Sequence, residues 1–257
     1  MNADSHYIIG SSHQYCQDYT RHGQNEKYAW GIVCDGCSGS TDSDVGARLL
    51  AHMAEKVLKA VGPKEIDVIQ NALQVEFQSV LDYFGNSFSF DSTLLLMVYD
   101  KSKNVLHFYI WGDGHYYVKK KNGEAFFGSV IYSNGAPFYL SYRWLNKEDE
   151  YETCFGSNYA EWTDEFFQNG VSIESGKAEG VKRVHFVIDN AASTIEFVSI
   201  TSDGLSSIEG GNLLEFFNFK SFNGDFVKRR FTGFSRYLKK NQLFHTDDLS
   251  MAAISFV

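Results

Sequence analysis

The sequence predicts an α+β protein in which two antiparallel sheets pack face to face with helices outside them. Two observations lead to this prediction. Patterns of helical period form one early pair and one late pair, whereas a long region between them has a period of two residues. Helices segregated from antiparallel strands are typical of the α+β class. Two facing sheets under outer helices would bury every apolar face.

Composition limits the class of protein. The 257 residues contain no flexible linker, which predicts a single domain over residues 1–257. The formal net charge of −9 disfavours nucleic acid as a partner, because phosphate backbones require a basic surface. The chain shows neither the layout of a signal peptide nor an apolar run of membrane-spanning length. Its four cysteines lack the paired spacing of a zinc site. We therefore expect a soluble, reduced, cytoplasmic protein without a membrane partner.

The first third of the chain predicts two strands followed by two helices. The alternation over residues 27–34 places Tyr28, Trp30 and Ile32 on one face of a strand. A strand at 7–10 precedes it, and a polar loop at 11–25 joins the two. Apolar residues at helical spacing predict helices over 45–61 and 66–84, the first capped by Asp42 or Asp44 and ended by Gly62.

The rest of the chain is predicted to be a meander that ends in two helices and a strand. Asn122-Gly123 is a strong hairpin signal between two of its strands. Residues 128–180 have weak periodicity and are predicted to form a flap or insertion. The other predicted elements are strands at 93–99, 105–111, 116–120 and 125–127, a hairpin of 183–188 with 195–201, helices at 213–219 and 226–238, and a strand at 249–257.

Acidic residues recur where apolar runs end. Asp35, Asp113 and Asp203 each precede a glycine at such a point, Asp247-Asp248 precedes the last strand, and Asp18 comes earlier. Each Asp-Gly pair by itself is also a common turn. Neighbouring strands would bring these carboxylates to one rim, where several cannot stay ionised together without cations. Ligation by oxygen alone favours Mg²⁺ or Mn²⁺ over zinc or copper.

The order of these motifs resembles that of the metal-dependent type 2C protein serine/threonine phosphatases, the PPM family, and most closely its small bacterial branch. The resemblance extends from Gly10 to Val257. The motifs are Ser12-His13, Gln17-Asp18, Asp35-Gly36-Cys37-Ser38-Gly39, Ser92-Thr93-Leu94, Gly112-Asp113-Gly114-His115, Ser202-Asp203-Gly204-Leu205 and Asp247-Asp248-Leu249-Ser250.

The resemblance implies an αββα sandwich with two Mn²⁺ or Mg²⁺ ions at one edge. Asp35 would bridge both ions, and the carbonyl of Gly36 would bind one of them. Asp203 and Asp247 would complete the ligands of the other ion. The implied activity is hydrolysis of phosphoserine or phosphothreonine by direct attack of a hydroxide held between the metals. The implied partners are a phosphorylated protein and its cognate Ser/Thr kinase.

Further acids would support this centre. Asp18 would orient water on the metals, Asp113 would contribute to an optional third ion, and Asp248 would play one of these two roles.

The chain departs from the family pattern at several positions. Cys37 stands where the family often has a histidine that protonates the leaving group, and Gln17 replaces an acid. His13 stands in place of a phosphate-binding arginine. It would bind phosphate, supply the proton, or be an ordinary loop histidine. These departures leave a second hypothesis open, a pseudophosphatase that binds a phosphoprotein or kinase without turnover. A third hypothesis is hydrolysis of a small phosphate ester.

Overall fold

The computed structural model of the chain describes residues 1–85, 87–157, 159–168 and 171–257. Two antiparallel sheets lie face to face, and helices cover the outer face of each. The predicted α+β sandwich is therefore confirmed. A buried apolar layer fills the space between the sheets, and a second and a third layer lie under the helices. No helix in the described ranges has the length and apolar character needed to cross a membrane.

Twelve strands are present in the described residues. One sheet has seven strands in the order β1-β12-β11-β6-β7-β8-β9, and the other has five in the order β10-β5-β4-β3-β2. The strands are β1 (Asn2–Ile8), β2 (Asp18–Gln24), β3 (Tyr28–Asp35), β4 (Leu94–Asp100), β5 (Val105–Trp111), β6 (Gly114–Lys120), β7 (Glu124–Ile131), β8 (Ala160–Gln168), β9 (Val171–Val181), β10 (Arg183–Asp189), β11 (Ile195–Thr201) and β12 (Leu249–Ser255).

The helices lie on the two outer faces and in the connections. The α-helices are α1 (Ser43–Val61), α2 (Ile66–Phe84), α3 (Leu140–Trp144), α4 (Glu148–Phe155), α5 (Ala191–Thr194) and α6 (Phe226–Asn241). α1 and α2 pack on the five-stranded sheet, while α6 packs on the seven-stranded sheet. Asp42 holds the N-cap position of α1, but its side chain makes no capping hydrogen bond, so that part of the capping prediction was wrong.

Strand β3 shows why the alternation in the sequence was informative. Trp30, Ile32 and Cys34 contact the layer under the helices, whereas Ala29 and Val33 face the opposite sheet. All five are buried. Both faces are buried because one packs under the helices and the other against the seven-stranded sheet, and β3 lies between β2 and β4 within its own sheet.

Several predicted elements differ from the structure. The predicted polar loop at 11–25 contains strand β2, whose buried positions include the polar Asp18 and Thr20, so an apolar pattern is absent. The predicted hairpin of 183–188 with 195–201 was wrong, because β10 pairs with β5 while β11 pairs with β6 and β12. Residues 213–219 contain a short 3₁₀ turn, Leu213–Phe217, instead of a helix.

Residues 128–180 hold more regular structure than the sequence indicated. They include the end of β7, the short helices α3 and α4, and the strands β8 and β9, which extend the seven-stranded sheet. The strands are amphipathic only in part and shift register twice, which explains the weak periodicity.

Candidate active site

A cavity of about 350 Å³ opens at one edge of the sandwich. The end of β3, the β5–β6 turn, the segment after β11 and the segment before β12 all meet there. Four aspartates, two histidines and two tyrosines contribute to its wall, namely Asp35, Asp113, Asp203, Asp247, His13, His115, Tyr132 and Tyr139. Gly36, Cys37 and Thr93 also line it. In the described residues, neither lysine nor arginine is part of this lining.

Asp18 and Asp35 are brought together by sheet register. They are directly paired residues on the antiparallel strands β2 and β3. Asp18 is 1% exposed, and its Oδ2 accepts a hydrogen bond of 2.7 Å from Ser202 Oγ, directly after β11 of the other sheet. The Ser202 hydroxyl in turn accepts from the backbone N–H of Ser250 at 3.0 Å. This chain of contacts ties the end of the five-stranded sheet to β11 and β12.

The turn after Asp35 is held from both sides. The backbone N–H of Asp35 donates to Thr93 Oγ1 at 3.1 Å, and that of Gly36 donates to the carbonyl of Gln17 at 3.2 Å. A Cβ atom on Gly36 would approach the carbonyl oxygen of Ser43 to 2.8 Å, so only glycine fits this close packing. The buried amide of Gln17 donates to Ser43 Oγ at 2.7 Å and to the Cys37 carbonyl at 3.2 Å. Gln17 is therefore a brace for the turn.

The segments that bear Asp203 and Asp247 are also packed against each other. A Cβ atom on Gly204 would overlap the carbonyl oxygen of Asp248, so the 3₁₀ turn that begins at Asp203 needs glycine at this point. The Ser207 hydroxyl lies 3.3 Å from the backbone nitrogen of Asp247, which donates to it. Both aspartates thereby face the same cavity.

Asp248 anchors the loop that bears His13. Its two oxygens accept backbone hydrogen bonds from Gly10 at 2.8 Å and from Gln17 at 2.6 Å. The ring of His13 lies between the acidic pair, with Nδ1 3.1 Å from Asp248 Oδ2 and Nε2 3.3 Å from Asp247 Oδ1. Partial burial opposes protonation, but the contact with Asp248 and the charge of Asp247 outweigh it and raise the pKa of His13.

The cavity concentrates negative charge. Burial, followed by the charges of Asp18 and Asp203, raises the pKa of Asp35 well above its usual range. Burial and the charge of Asp203 do the same to the pKa of Asp113, which lies in the β5–β6 turn. This crowding therefore favours protons or bound cations on these carboxyl groups.

The donor set suits hard divalent cations. Asp18 Oδ1 and Asp203 Oδ1 are buried oxygens without a hydrogen-bond partner among the described residues, and free carboxylate oxygens are the ligands that Mg²⁺ and Mn²⁺ prefer. No group of three or more His, Cys, Asp or Glu side chains in the described ranges could hold an ion by itself. Magnesium usually keeps several water ligands and takes only one or two carboxylates, so the lining acids still fit it.

Comparison with known families agrees with the motif order in the sequence. The family model for protein phosphatase 2C matches residues 5–251. The chain belongs to the protein phosphatase 2C (PP2C) family. No curated protein sequence matches this chain.

Several solved structures share the fold of this chain at low sequence identity. A bacterial serine phosphatase is 11% identical over 100% of this chain and 98% of its own, with a TM-score of 0.60. The serine/threonine phosphatase Stp1 from Staphylococcus aureus is 12% identical over 98% of this chain and 94% of its own, with a TM-score of 0.59. RsbX, crystallised with magnesium, is 11% identical over 97% and 92%, with a TM-score of 0.52.

The structure adds cavity residues that sequence reasoning missed in this PP2C chain. Tyr132 and Tyr139 project from the 128–180 region into the cavity wall, next to Gly135 and Pro137. Burial and the nearby Cys37, Asp113 and Asp35 raise the pKa of Tyr139, so its phenol stays protonated. The signal available in the sequence was a cluster of aromatics around a glycine and a proline within a weakly periodic region.

His115 and the cysteines have structural surroundings. The ring nitrogens of His115 contact Ser129 Oγ at 2.8 Å and Ser206 Oγ at 3.0 Å, which links β6 and β7 to the turn of Asp203. Burial lowers the pKa of His115 to about 4, so the ring is neutral. All four cysteines are free thiols, and the Cys34–Cys37 pair forms no disulfide.

The crowded carboxylates make metal-free stability depend on pH. Burial raises the pKa of Asp18 to about 7. A carboxyl group whose pKa is higher in the folded state stabilises the fold at low pH, and this contribution is lost as pH rises through the folded pKa. We therefore expect the metal-free PP2C domain to gain about 1–2 kcal/mol of unfolding free energy between about pH 8 and pH 6. Urea unfolding in EDTA measures this gain.

Asp18→Asn is the matched variant for that measurement, because it removes the titrating group and keeps its shape. We expect a shallower pH dependence in the variant. The prediction would be contradicted if the unfolding free energy of the wild-type protein fell as the pH was lowered from about 8 to about 6.

Proposed function

We propose that this PP2C chain is a metal-dependent phosphoprotein phosphatase that hydrolyses phosphoserine and phosphothreonine. The observation that supports this most is the composition of the cavity wall, with four aspartates and, in the described residues, no lysine or arginine. Such a wall offers a phosphate group no lysine or arginine, so we assign the binding of phosphate to cations held by the aspartates. With cations in place, the same wall is a phosphate site, and a cavity at an open edge admits a phosphorylated side chain.

Four residues are proposed to hold two Mn²⁺ or Mg²⁺ ions. Asp35 would contact both, the Gly36 carbonyl would contact one, and Asp203 with Asp247 would serve the other. When bound, the ions supply a water of lowered pKa and neutralise charge on the phosphate. RsbX, which shares the fold, was crystallised with magnesium, and this supports the choice of cation.

Three further aspartates are proposed to support this centre. Asp18 lies directly across the strand pair from Asp35 and keeps one oxygen free to orient water. Asp113 lines the cavity and would serve an optional third ion. Asp248 has both oxygens engaged by backbone N–H groups, so we assign it the positioning of His13 and of the loop after Gly10.

His13 and Tyr139 are the candidates for handling the phosphate and the leaving group. His13 lines the cavity next to Asp247, and the acids that raise its pKa favour the imidazolium form, which suits an anion or a proton transfer to oxygen. Tyr139 holds a protonated phenol in the same wall, close to Cys37. These residues compensate for the histidine that Cys37 replaces.

Retention of the acids bears on the pseudophosphatase hypothesis. A module that only binds phosphoprotein gains nothing from buried carboxylates that repel one another, whereas an ion-dependent enzyme needs them. Gln17 has a structural role as a brace, so its lack of charge does not weaken the proposal.

The proposed function is tested by phosphate release from a phosphothreonine peptide. The chain is first freed of metal with EDTA and then supplied with Mn²⁺ or Mg²⁺. We expect release to rise at least about 100-fold with metal, because both the nucleophile and charge neutralisation depend on it. Asp203→Ala is the control that keeps the fold and lacks a proposed ligand.

Three outcomes would contradict the proposal. Equal release with and without metal would remove the role of the ions. Metal-dependent binding of the peptide without release would indicate a pseudophosphatase. Release from p-nitrophenyl phosphate alone would indicate a small phosphate ester as substrate.

A further inference from the structure

A second cavity lies inside the sandwich, away from the acidic edge. Its volume is about 360 Å³. The start of β11 and strands β6, β7 and β8, all of the seven-stranded sheet, face β10 of the other sheet across it. The cavity has a topological cause. The sheets are matched at the edge where β1 and β12 lie against β2 and β3, and the seven-stranded sheet is two strands wider than its partner. At the other edge the two surplus strands, β8 and β9, extend past β10. In the described residues, the five-stranded sheet has no strand beyond β10 to cover the rest of their inner side.

The wall of this cavity is aromatic. Phe126 and Phe166 meet edge to face with ring centroids 4.7 Å apart, and Trp162 stacks on Phe186 at 5.8 Å. Tyr116 lies 4.9 Å from Phe186 and forms part of the floor. The faces of such rings attract cations because of their quadrupoles. Lys120, which also lines the cavity, shows this attraction, since its ammonium group lies 4.5 Å from the ring centre of Phe126.

One carboxylate stands among these rings. The Tyr116 hydroxyl donates to Asp164 Oδ1, and the Trp162 indole N–H donates to the Tyr116 oxygen at 2.9 Å. A Cβ atom on Gly128 would overlap the ring of Tyr116, so a glycine in β7 makes room for this arrangement. A void that results only from loose packing would not need this series of hydrogen bonds from Trp162 through Tyr116 to Asp164.

Among the described residues, Asp164 has no basic side chain as a partner. No Lys, Arg or His nitrogen in the described residues lies within 4.0 Å of its carboxylate, and Lys120 is paired with Glu124 at 2.8 Å. Burial raises the pKa of Asp164 to about 6, without a neighbouring base to lower it. The Asp164 carboxyl group therefore stands at the edge of an aromatic cavity, and no basic side chain among the described residues contacts it.

We propose that this cavity binds a small organic cation, an apolar or aromatic group that carries one ammonium, with the ammonium against Asp164. The ammonium would donate a charge-assisted hydrogen bond to Asp164 and make cation–π contacts with the ring faces. The apolar body would fill the space under the surplus strands. The volume lies in the range of small-molecule sites. This site is separate from the acidic cavity and does not depend on the proposed phosphatase activity.

The proposal is tested with three probes of one shape on the full chain at about pH 8. They are 2-phenylethylammonium, the neutral 2-phenylethanol and the anionic 3-phenylpropionate. Binding is followed by NMR through the indole N–H of Trp162, which is assigned among the four tryptophans with Trp162→Phe. We expect the ammonium to bind at least about tenfold more tightly than the alcohol, since only it can pair with the carboxylate.

Matched variants localise the effect. Asp164→Asn is expected to remove the tenfold preference for the ammonium, while Glu165→Gln, the exposed neighbour on the same strand, leaves it unchanged. The comparison of probes on the wild-type chain needs no variant and holds even if Asp164→Asn folds poorly. The proposal is overturned if the alcohol or the carboxylate binds as tightly as the ammonium, or if the ammonium fails to bind up to about 10 mM.

Discussion

Asp35→Asn should lower metal-dependent phosphate release by about 1,000-fold or more. Asp35 lies at the end of β3 on the cavity wall, and its carboxylate is proposed to contact both cations. The asparagine amide has the shape of the carboxylate but lacks the negative charge that would hold the two cations. Loss of a single electrostatic contact at a reaction centre typically costs about 100- to 1,000-fold, and this change affects two ions. Initial rates on the phosphothreonine peptide at saturating Mn²⁺ measure the loss.

The stability of the same variant separates a lost function from a lost fold. The carboxylate of Asp35 is buried beside Asp18 and Asp203, and their charges oppose its ionisation. Removing one charge relieves this repulsion, so we expect the metal-free variant to unfold at a temperature equal to or above that of the wild type. Asp189→Asn, at the exposed end of β10, is the control and should leave both quantities unchanged. An Asp35→Asn protein with wild-type turnover would refute the proposed metal centre.

His13→Gln should lower release from the phosphothreonine peptide by about 100-fold. His13 lies between Asp247 and Asp248 on the cavity wall. General acid catalysis typically contributes about 100- to 10,000-fold, and glutamine keeps a polar side chain of similar reach without a transferable proton. The loss is measured as kcat and KM on the peptide and on p-nitrophenyl phosphate.

The two substrates distinguish the roles of His13. A nitrophenolate leaves without a proton, whereas the alkoxide of threonine requires one. If His13 supplies that proton, the variant loses much more on the peptide than on p-nitrophenyl phosphate. If His13 binds phosphate instead, both substrates lose equally and KM rises. His22→Gln, on β2 outside the cavity, is the control. Wild-type kinetics on both substrates would show that His13 is an ordinary loop histidine.

Local signals in the sequence predicted much of the architecture. The alternation at 27–34 matched the two buried faces of β3, and Ile66–Phe84 is a helix with the predicted bounds. These features depend on residues close in the chain. Strand β2 was missed because its buried positions, Asp18 and Thr20, are polar. The pairing of β10 was missed because no local feature of the sequence specifies the partner of a strand.

The candidate site was predicted from an order of motifs, and the structure adds its arrangement. Asp35, Asp203 and Asp247 were each identified by the apolar strand next to them, and all three line one cavity. Their chemical assignment remains a proposal. Tyr139 was not identified, since the cluster of aromatics around a glycine and a proline indicates a region and does not single out the tyrosine that lines the cavity.

By itself the sequence determined the α+β class, the strand-end acids and the hard-cation chemistry that they favour, because alternation, turns and side-chain charge are local properties. The tertiary structure alone decided which carboxylates meet, that Asp18 is tied to Ser202 from 184 residues away, and that surplus strands leave an aromatic cavity at Asp164. The physical reason is that pairing between distant strands depends on packing of the whole sandwich, which no short stretch of sequence contains.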